Sequence, residues 1–360
     1  MFMYGEENRR SLALDIAKGV GILLVALGHC PQVWIPVKQW IYSFHVPLFF
    51  LLSGMVWDRA SHEESGFFSY AFLRKKALRL LVPCFLWGLG YLVARALVSQ
   101  AFKPESLGWL LYNTESSISK AGSLTPLWFL SCMFVTACLF ELLQWFFCKR
   151  QLSKWILFGL SLVFGVLGLF LPVLDLGYPW NVDIAMLGLA LMIWGYLARE
   201  TMDRLAGKPW FCLLIGLAAL AVLSFTYQLN LPNVSDKYVE VSDRIFGNRA
   251  LFLLDALCGS LFVLGLSCFL ADFSLLSPLL GRLGRDTIPI LLLHKPVALA
   301  LGVVFGKMGM PITLSVAIEF GFALVISEGV FVLSAPYFPF VYGESRQLRY
   351  EYGRGAARYR

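Results

Sequence analysis

Leu12-Ala13-Leu14-Asp15-Ile16-Ala17-Lys18-Gly19-Val20-Gly21-Ile22-Leu23-Leu24-Val25-Ala26-Leu27-Gly28-His29 is long and apolar enough to cross a bilayer, yet it carries an Asp, a Lys and a His. On an α-helix, Lys18 and His29 lie only about 20° apart around the axis, and Asp15 sits one turn before Lys18. All three therefore point into an arc of about 60°. The helical rise separates Lys18 from His29 by about 16 Å, half a hydrocarbon core. Charges at that depth are costly, belong against protein or water, and mark function. A second reading fits the same residues: an Asp15–Lys18 pair that snorkels to one interface, with His29 surfacing at the other.

The rest of the chain agrees with a membrane span at its start. Apolar residues make up 58% of the 360 and charged residues 15%, with a mean hydropathy of +0.70. A soluble domain would carry about a quarter charged residues. The fold class is thus all-α, a polytopic membrane protein, and its net charge of +7 is read by placement rather than as a nucleic-acid footprint. The eight cysteines lie in or beside apolar runs without paired metal-ligand spacing, as small core residues do. Arg9-Arg10 imitates a twin-arginine signal and Leu27-Gly28-His29-Cys30 a lipoprotein box. Asp15 and Lys18 interrupt that signal core, and His29 replaces the small residue needed before the cysteine, so an uncleaved first span is expected.

Ten apolar segments can be marked, at about 12–30, 42–58, 77–98, 126–147, 154–174, 182–198, 209–227, 250–271, 286–306 and 312–334. The N-terminus, alternate loops and tail on one side hold 20 Lys and Arg, and the five loops opposite hold seven. Lys18, Arg95 and Lys295 lie inside helices. By the positive-inside rule both termini are expected in the cytoplasm, in an inner (cytoplasmic) membrane, with Lys18 on the inner half and His29 near the outer face. Residues 1–341 read as one membrane-embedded domain, and 342–360 as a basic, disordered cytoplasmic tail.

Several polar residues stand out against this background. Arg74-Lys75-Lys76 with Arg79 reads either as an anchor on anionic lipid or as a cytosolic phosphate site. His45 opens the second segment, level with His29 across a short loop; such a pair suits general-base chemistry, and no acidic or cysteine ligand is placed to complete a metal shell. Ser53-Gly54 suits close helix packing. Trp128 begins the fourth segment where an interfacial aromatic belt alone would explain it, and Asp183 begins the sixth from the same side. His294-Lys295-Pro296 lies about mid-membrane; the proline frees a backbone carbonyl, and the cluster favours a polar cavity over a dry core.

Together these residues resemble the integral-membrane acyltransferase-3 family, in particular its fucose 4-O-acetylase-like branch. Asp15-x-x-Lys18, the interval to His29, Phe44-His45-Val46-Pro47-Leu48-Phe49-Phe50 with Ser53-Gly54, the basic stretch to Pro83, Leu127-Trp128-Phe129-Leu130 and the Gly284-to-His294 stretch carry the resemblance across almost the whole chain. It implies a ten-helix enzyme of the cell envelope that O-acylates, usually O-acetylates, a polysaccharide, lipid-linked sugar or related glycan outside the cytosol. The donor would be acetyl-CoA or another acyl-CoA, with no tightly bound cofactor and no metal. Under that reading His29 and His45 are catalytic. Asp15, Lys18, Arg74, Lys75, Lys76, Arg79, Trp128, Asp183 and His294 serve substrate binding. His29 would take the acceptor hydroxyl proton, and His45 would orient it, donate to the acceptor or help hold the oxyanion. A covalent acyl-histidine stays open. The rival readings are a transporter or flippase for a glycan or acyl metabolite, using the same charges as a path, and a membrane sensor that binds without turnover.

Overall fold

The computed structural model describes residues 2–58, 68–99, 103–121, 126–205, 207–230, 238–272 and 275–343. The chain is an all-α polytopic membrane protein. Every one of the ten apolar segments coincides with a helix: α1 Phe2–Gly28, α2 Ile35–Tyr42, α3 His45–Met55, α4 Tyr70–Lys76 continued by a π turn Ala77–Leu81 into α5 Val82–Ser99, α6 Glu105–Tyr112, α7 Glu115–Ala121, α8 Trp128–Arg150, α9 Lys154–Phe170, α10 Val182–Leu205, α11 Pro209–Leu229, α12 Arg249–Leu270, α13 Leu276–Arg285, α14 Thr287–Lys307 and α15 Ile312–Ser334. Eight helical stretches are long and apolar enough to cross a membrane, while α9 has 17 residues and α3 has 11. The only β-pairing among the described residues is a single bridge, Glu240 with Ile245.

Three local features depart from the segment boundaries, each for a physical reason. Ser69 caps α4 by accepting from the Phe72 amide at 3.2 Å, so the third span begins seven residues early. Arg74, Lys75, Lys76 and Arg79 therefore ride on a helix and its π turn rather than on a loop. Lys38 to Trp40, expected as loop, form part of α2, which has proline at its start. The basic tail from residue 344 lies outside the described residues.

Most of α10, α12 and α1 is buried at the centre of the bundle, whereas the α4–α5 stretch and α15 are largely peripheral. Leu97, Val98, Trp155, Val325 and Leu333 are exposed on the outer surface, as residues facing lipid chains are. α1 packs against α13, α12, α14 and α3. At its crossing with α13, a Cβ on Gly19 would overlap the Leu280 carbonyl and one on Gly284 the Asp15 carbonyl. The two backbones touch there, and Arg285 Nη1 closes on Asp15 Oδ2 at 3.6 Å. The α3–α10 crossing is built the same way from Gly54 and Gly195, as Ser53-Gly54 had suggested.

Pro296 lies inside α14 and has no amide to give to the Leu292 carbonyl. Tyr91 on α5 fills that vacancy, donating its hydroxyl to Leu292 O at 3.2 Å. The kink-prone turn that carries His294 is held by a neighbouring helix.

Candidate active site

His29, one residue past α1, His45, the first residue of α3, and His294 in α14 converge at one end of the bundle. Each imidazole Nδ1 donates to the carbonyl four residues earlier: His29 to Val25 O at 2.9 Å, His45 to Ile41 O at 3.1 Å and His294 to Ile290 O at 2.7 Å. A carbonyl only accepts, so each neutral ring carries its proton on Nδ1 and its lone pair on Nε2. His294 Nε2 lies 3.1 Å from His29 Nδ1. It accepts a second share of the His29 Nδ1–H, which fixes the His29 tautomer and the plane of its ring.

His29 Nε2 has no hydrogen-bond partner among the described residues, and His29 is part-exposed. His45 and His294 are buried. Two buried histidines thus flank one that presents a free lone pair. The Tyr42 ring joins them, with its centroid 5.9 Å from His29 and 4.7 Å from His45.

Charged residues cover this triad. Lys295 Nζ stands 3.8 Å from Glu115 Oε1 at the start of α7, and its charge acts on His29. The short hairpin closed by Glu240 and Ile245 lays Tyr238 against Tyr42 at 5.0 Å. Lys38 Nζ sits over both rings, 4.3 Å from Tyr238 and 5.2 Å from Tyr42. Burial pushes the Glu240 carboxyl up to about 7; Glu115 and Asp243 add to the rise, and Ser242 and Lys38 oppose it. Glu115 is also raised, first by burial and against the pull of Lys295. Glu115, Glu240, Lys38 and Tyr238 were not among the expected site residues. They sit on short helices and a hairpin between the spans, whose pairing across the chain leaves no trace in local spacing.

The other expected residues fall in four places. Lys18 Nζ pairs with Asp15 Oδ1 at 3.1 Å, and Asp15 is shared with Arg285. This cluster adjoins Arg282, which reaches Asp286 at 3.6 Å and Glu328 at 3.5 Å. Arg74, Lys75 and Arg79 are exposed, with Lys76 half-buried over the Phe72 ring. Trp128 is buried in the core beside Phe129, and its carbonyl accepts from Asn181 Nδ2 at 3.3 Å. Asp183 Oδ2 pairs with Arg244 Nε at 3.4 Å, both side chains buried. Among the described residues, neither Trp128 nor Asp183 touches a histidine. His294, expected among the binding residues, lies instead against His29.

Comparisons with known proteins identify the family of this chain. Nodulation protein NolL of Sinorhizobium fredii is 29% identical over 186 residues, 48% of this chain and 47% of the relative. Nodulation protein NolL of Mesorhizobium japonicum is 29% identical over 187 residues, 48% of this chain and 46% of the relative. The chain thus spans about half the length of the curated relatives it matches. No solved structure matches it significantly. A family model described as an acyltransferase domain matches residues 11–335, from Ser11 within α1 to Ala335, just past the end of α15. With His29, His45 and His294 brought together inside that span, the chain belongs to the acyltransferase-3 family.

Proposed function

We propose that the protein is a membrane O-acyltransferase that moves an acyl group, in the first instance acetyl, from cytosolic acyl-CoA to a hydroxyl of an extracytoplasmic glycan or lipid-linked sugar. The observation that carries this reading is the open Nε2 of His29, aligned through Nδ1 by His294. A neutral imidazole so held is suited to general-base work near neutrality. His29 Nε2 takes the hydroxyl proton as the acceptor oxygen attacks the thioester carbonyl. The tetrahedral oxyanion then collapses, the C–S bond breaks, and the departing thiolate takes the proton back from His29 to leave as free CoA. Because His45 spends its Nδ1–H on Ile41 O, its Nε2 accepts rather than donates. It fits accepting from a second hydroxyl of the acceptor, beside the one that gives its proton to His29. Lys295, whose charge acts on His29, is the cation we assign to the developing oxyanion.

The donor end of this reading rests on Lys18, Arg74, Lys75, Lys76 and Arg79, which suit the phosphates of coenzyme A. Purified protein supplied with radiolabelled acetyl-CoA is expected to release free CoA and to label a surface glycan in membranes. Release without any dependence on added glycan, or no release at all, overturns the assignment. Neutralising Arg74, Lys75, Lys76 and Arg79 together should weaken acyl-CoA binding while insertion is kept, since each charge-assisted hydrogen bond lost costs about 1.5–3 kcal/mol. Unchanged donor affinity in an inserted variant would return the cluster to a lipid anchor.

The sidedness has its own test. Trp34, 71% exposed just before α2, is expected outside, and Lys75 inside. Single cysteines are placed at each in turn, in a background where the half-exposed Cys138 and Cys148 are serine. On intact cells an impermeant maleimide should label position 34 only. Equal labelling of both positions rejects this orientation.

A further inference from the structure

Along α3, from His45 to Met55, every residue is buried except Phe49 and Ser53. The two are one turn apart and continue the line that starts at His45, so a single stripe of an otherwise sealed helix keeps open surface. An ordinary close-packed interior would leave them as buried as their neighbours. α10, α12 and α1 pack closely on α3, and α8 is not among the helices that do. The stripe reaches across to α8 through side chains. The Phe49 and Phe129 rings meet edge to face at 6.0 Å, and Ser53 Oγ approaches Met133 Sδ at 3.6 Å. Two residues past α3, Trp57 Nε1 donates to Glu141 Oε2 at 3.0 Å.

This seam joins the two places that the proposed reaction needs. Its outer end is His45, and its inner end is Glu141, whose charge acts on Lys76 of the basic stretch. Phe49 stands between them and also reaches α1. Gly21 lies between Lys18 and His29 in the chain, and a Cβ there would stand 3.1 Å from Phe49 Cζ. The ring thus lies across the way from Lys18 to His29, with Phe129 on its other side. Phe129 is itself held by Phe50 at 5.7 Å and Trp128 at 5.9 Å.

The chemistry of the seam narrows what can pass. Its links are two phenyl rings, a thioether and a hydroxyl, with charge only at the inner end. A diphosphate would lose its hydration there without meeting a cation. A narrow, uncharged chain ending in a thioester suits it, and the acyl group leads that chain past the rings to His29. We propose that Phe49, closed against Phe129 and Gly21, is the specificity residue that limits the donor to an acyl group of acetyl size. The inference deepens the acyltransferase reading and rests on it.

The test compares membranes carrying the full chain, supplied in turn with acetyl-, butyryl- and octanoyl-CoA, and takes the CoA release of His29→Ala membranes as the blank. A single methylene in an apolar pocket shifts discrimination by about 10–200-fold. The parent is therefore expected to favour acetyl over octanoyl by about tenfold or more. Phe49→Ala, and the milder Phe49→Leu, should shrink that preference, whereas Gly21→Ala should slow butyryl transfer before acetyl. Phe134→Ala, on α8 but against Trp180, should leave it unchanged. Thermal midpoints and elution profiles of the purified variants show which are folded. Ser53→Cys reads the passage without turnover, in a background where Cys138 and Cys148 are serine. A small methanethiosulfonate should label it above background and acetyl-CoA should block the label, while Leu52→Cys, at a position 1% exposed, stays unlabelled. Octanoyl transfer as fast as acetyl by the parent, an unchanged preference in the folded Phe49 variants, or Ser53→Cys unlabelled or unprotected overturns the proposal. No release above the blank with any donor refutes the enzyme reading and the filter together. Acetyl turnover with an unaltered chain-length range in the folded Phe49 variants removes the filter alone.

Discussion

His29→Ala should give a folded, inserted protein that still binds acyl-CoA but transfers on the order of 10²–10⁴-fold more slowly, the usual worth of a general base. The reason lies in the hydrogen bonds around the ring. Of the three histidines, His45 and His294 are buried, and His294 Nε2 is already aimed at His29. His29 alone offers a free lone pair at a part-exposed position. Removing it takes away the proton acceptor and leaves Val25 O and His294 Nε2 with no ring between them. Lys18→Ala should behave differently. It is expected to raise the donor concentration needed for half-maximal rate, because its pairing with Asp15 places it eleven residues along the helix from the reacting atoms. The Asp15→Asn, Lys18→Ala double variant removes the orphan carboxylate and so separates lost donor contact from lost stability. A His29→Ala protein that is folded and transfers at near the parental rate would falsify the catalytic assignment.

The second large effect is structural. Gly54→Ala is expected to lower the thermal midpoint of the detergent-solubilised protein sharply, and Gly54→Leu to prevent its accumulation in the membrane. A Cβ at Gly54 would overlap the Met192 carbonyl, and one at Gly195 the Leu51 carbonyl, so both faces of the α3–α10 crossing are backbone. Nothing flexible can move aside. Overpacking of this kind costs about 1–3 kcal/mol or more, and in lipid no hydrophobic driving force between helices offsets it. Gly90→Ala is the control, since a Cβ there meets nothing within 4 Å. Equal midpoints for the two alanine variants would show that this crossing is not close-packed.

Much of this architecture could be read from residue order, because lipid imposes a simple rule on which stretches become helices. The ten apolar segments all became helices, and Pro296 does free the Leu292 carbonyl, which Tyr91 takes up. The Lys18–His29 spacing placed both on one face, and His45 joined His29 as its depth suggested, whereas His294, expected at mid-membrane, came to 3.1 Å from His29. What could not be read was anything that depends on loops folding back. Glu115 and Glu240 sit in polar stretches with no periodicity. Their place over the histidines is set by the hairpin bridge at Glu240 and Ile245 and by the buried Asp183–Arg244 pair. Trp128 and Asp183 looked alike in sequence, polar-edged residues at the heads of two spans. Packing sent one into the core and paired the other with Arg244.

The clasp between α1 and α13 sets a schedule for biosynthesis. Asp15 finds Lys18 within its own helix, so the first span can leave the translocon with that charge already matched. Its other partners arrive late: Arg285 and the glycine that seats α13 come from the last quarter of the chain, and His294 lies 265 residues beyond His29. Until then the α1 backbone at Gly19 is a bare groove, and the His29 ring has no fixed plane. A nascent chain halted before Leu276 would therefore hold its first helix in lipid with that groove uncovered. Quality-control proteases would meet an unfinished protein whose earliest helix is the last to be locked.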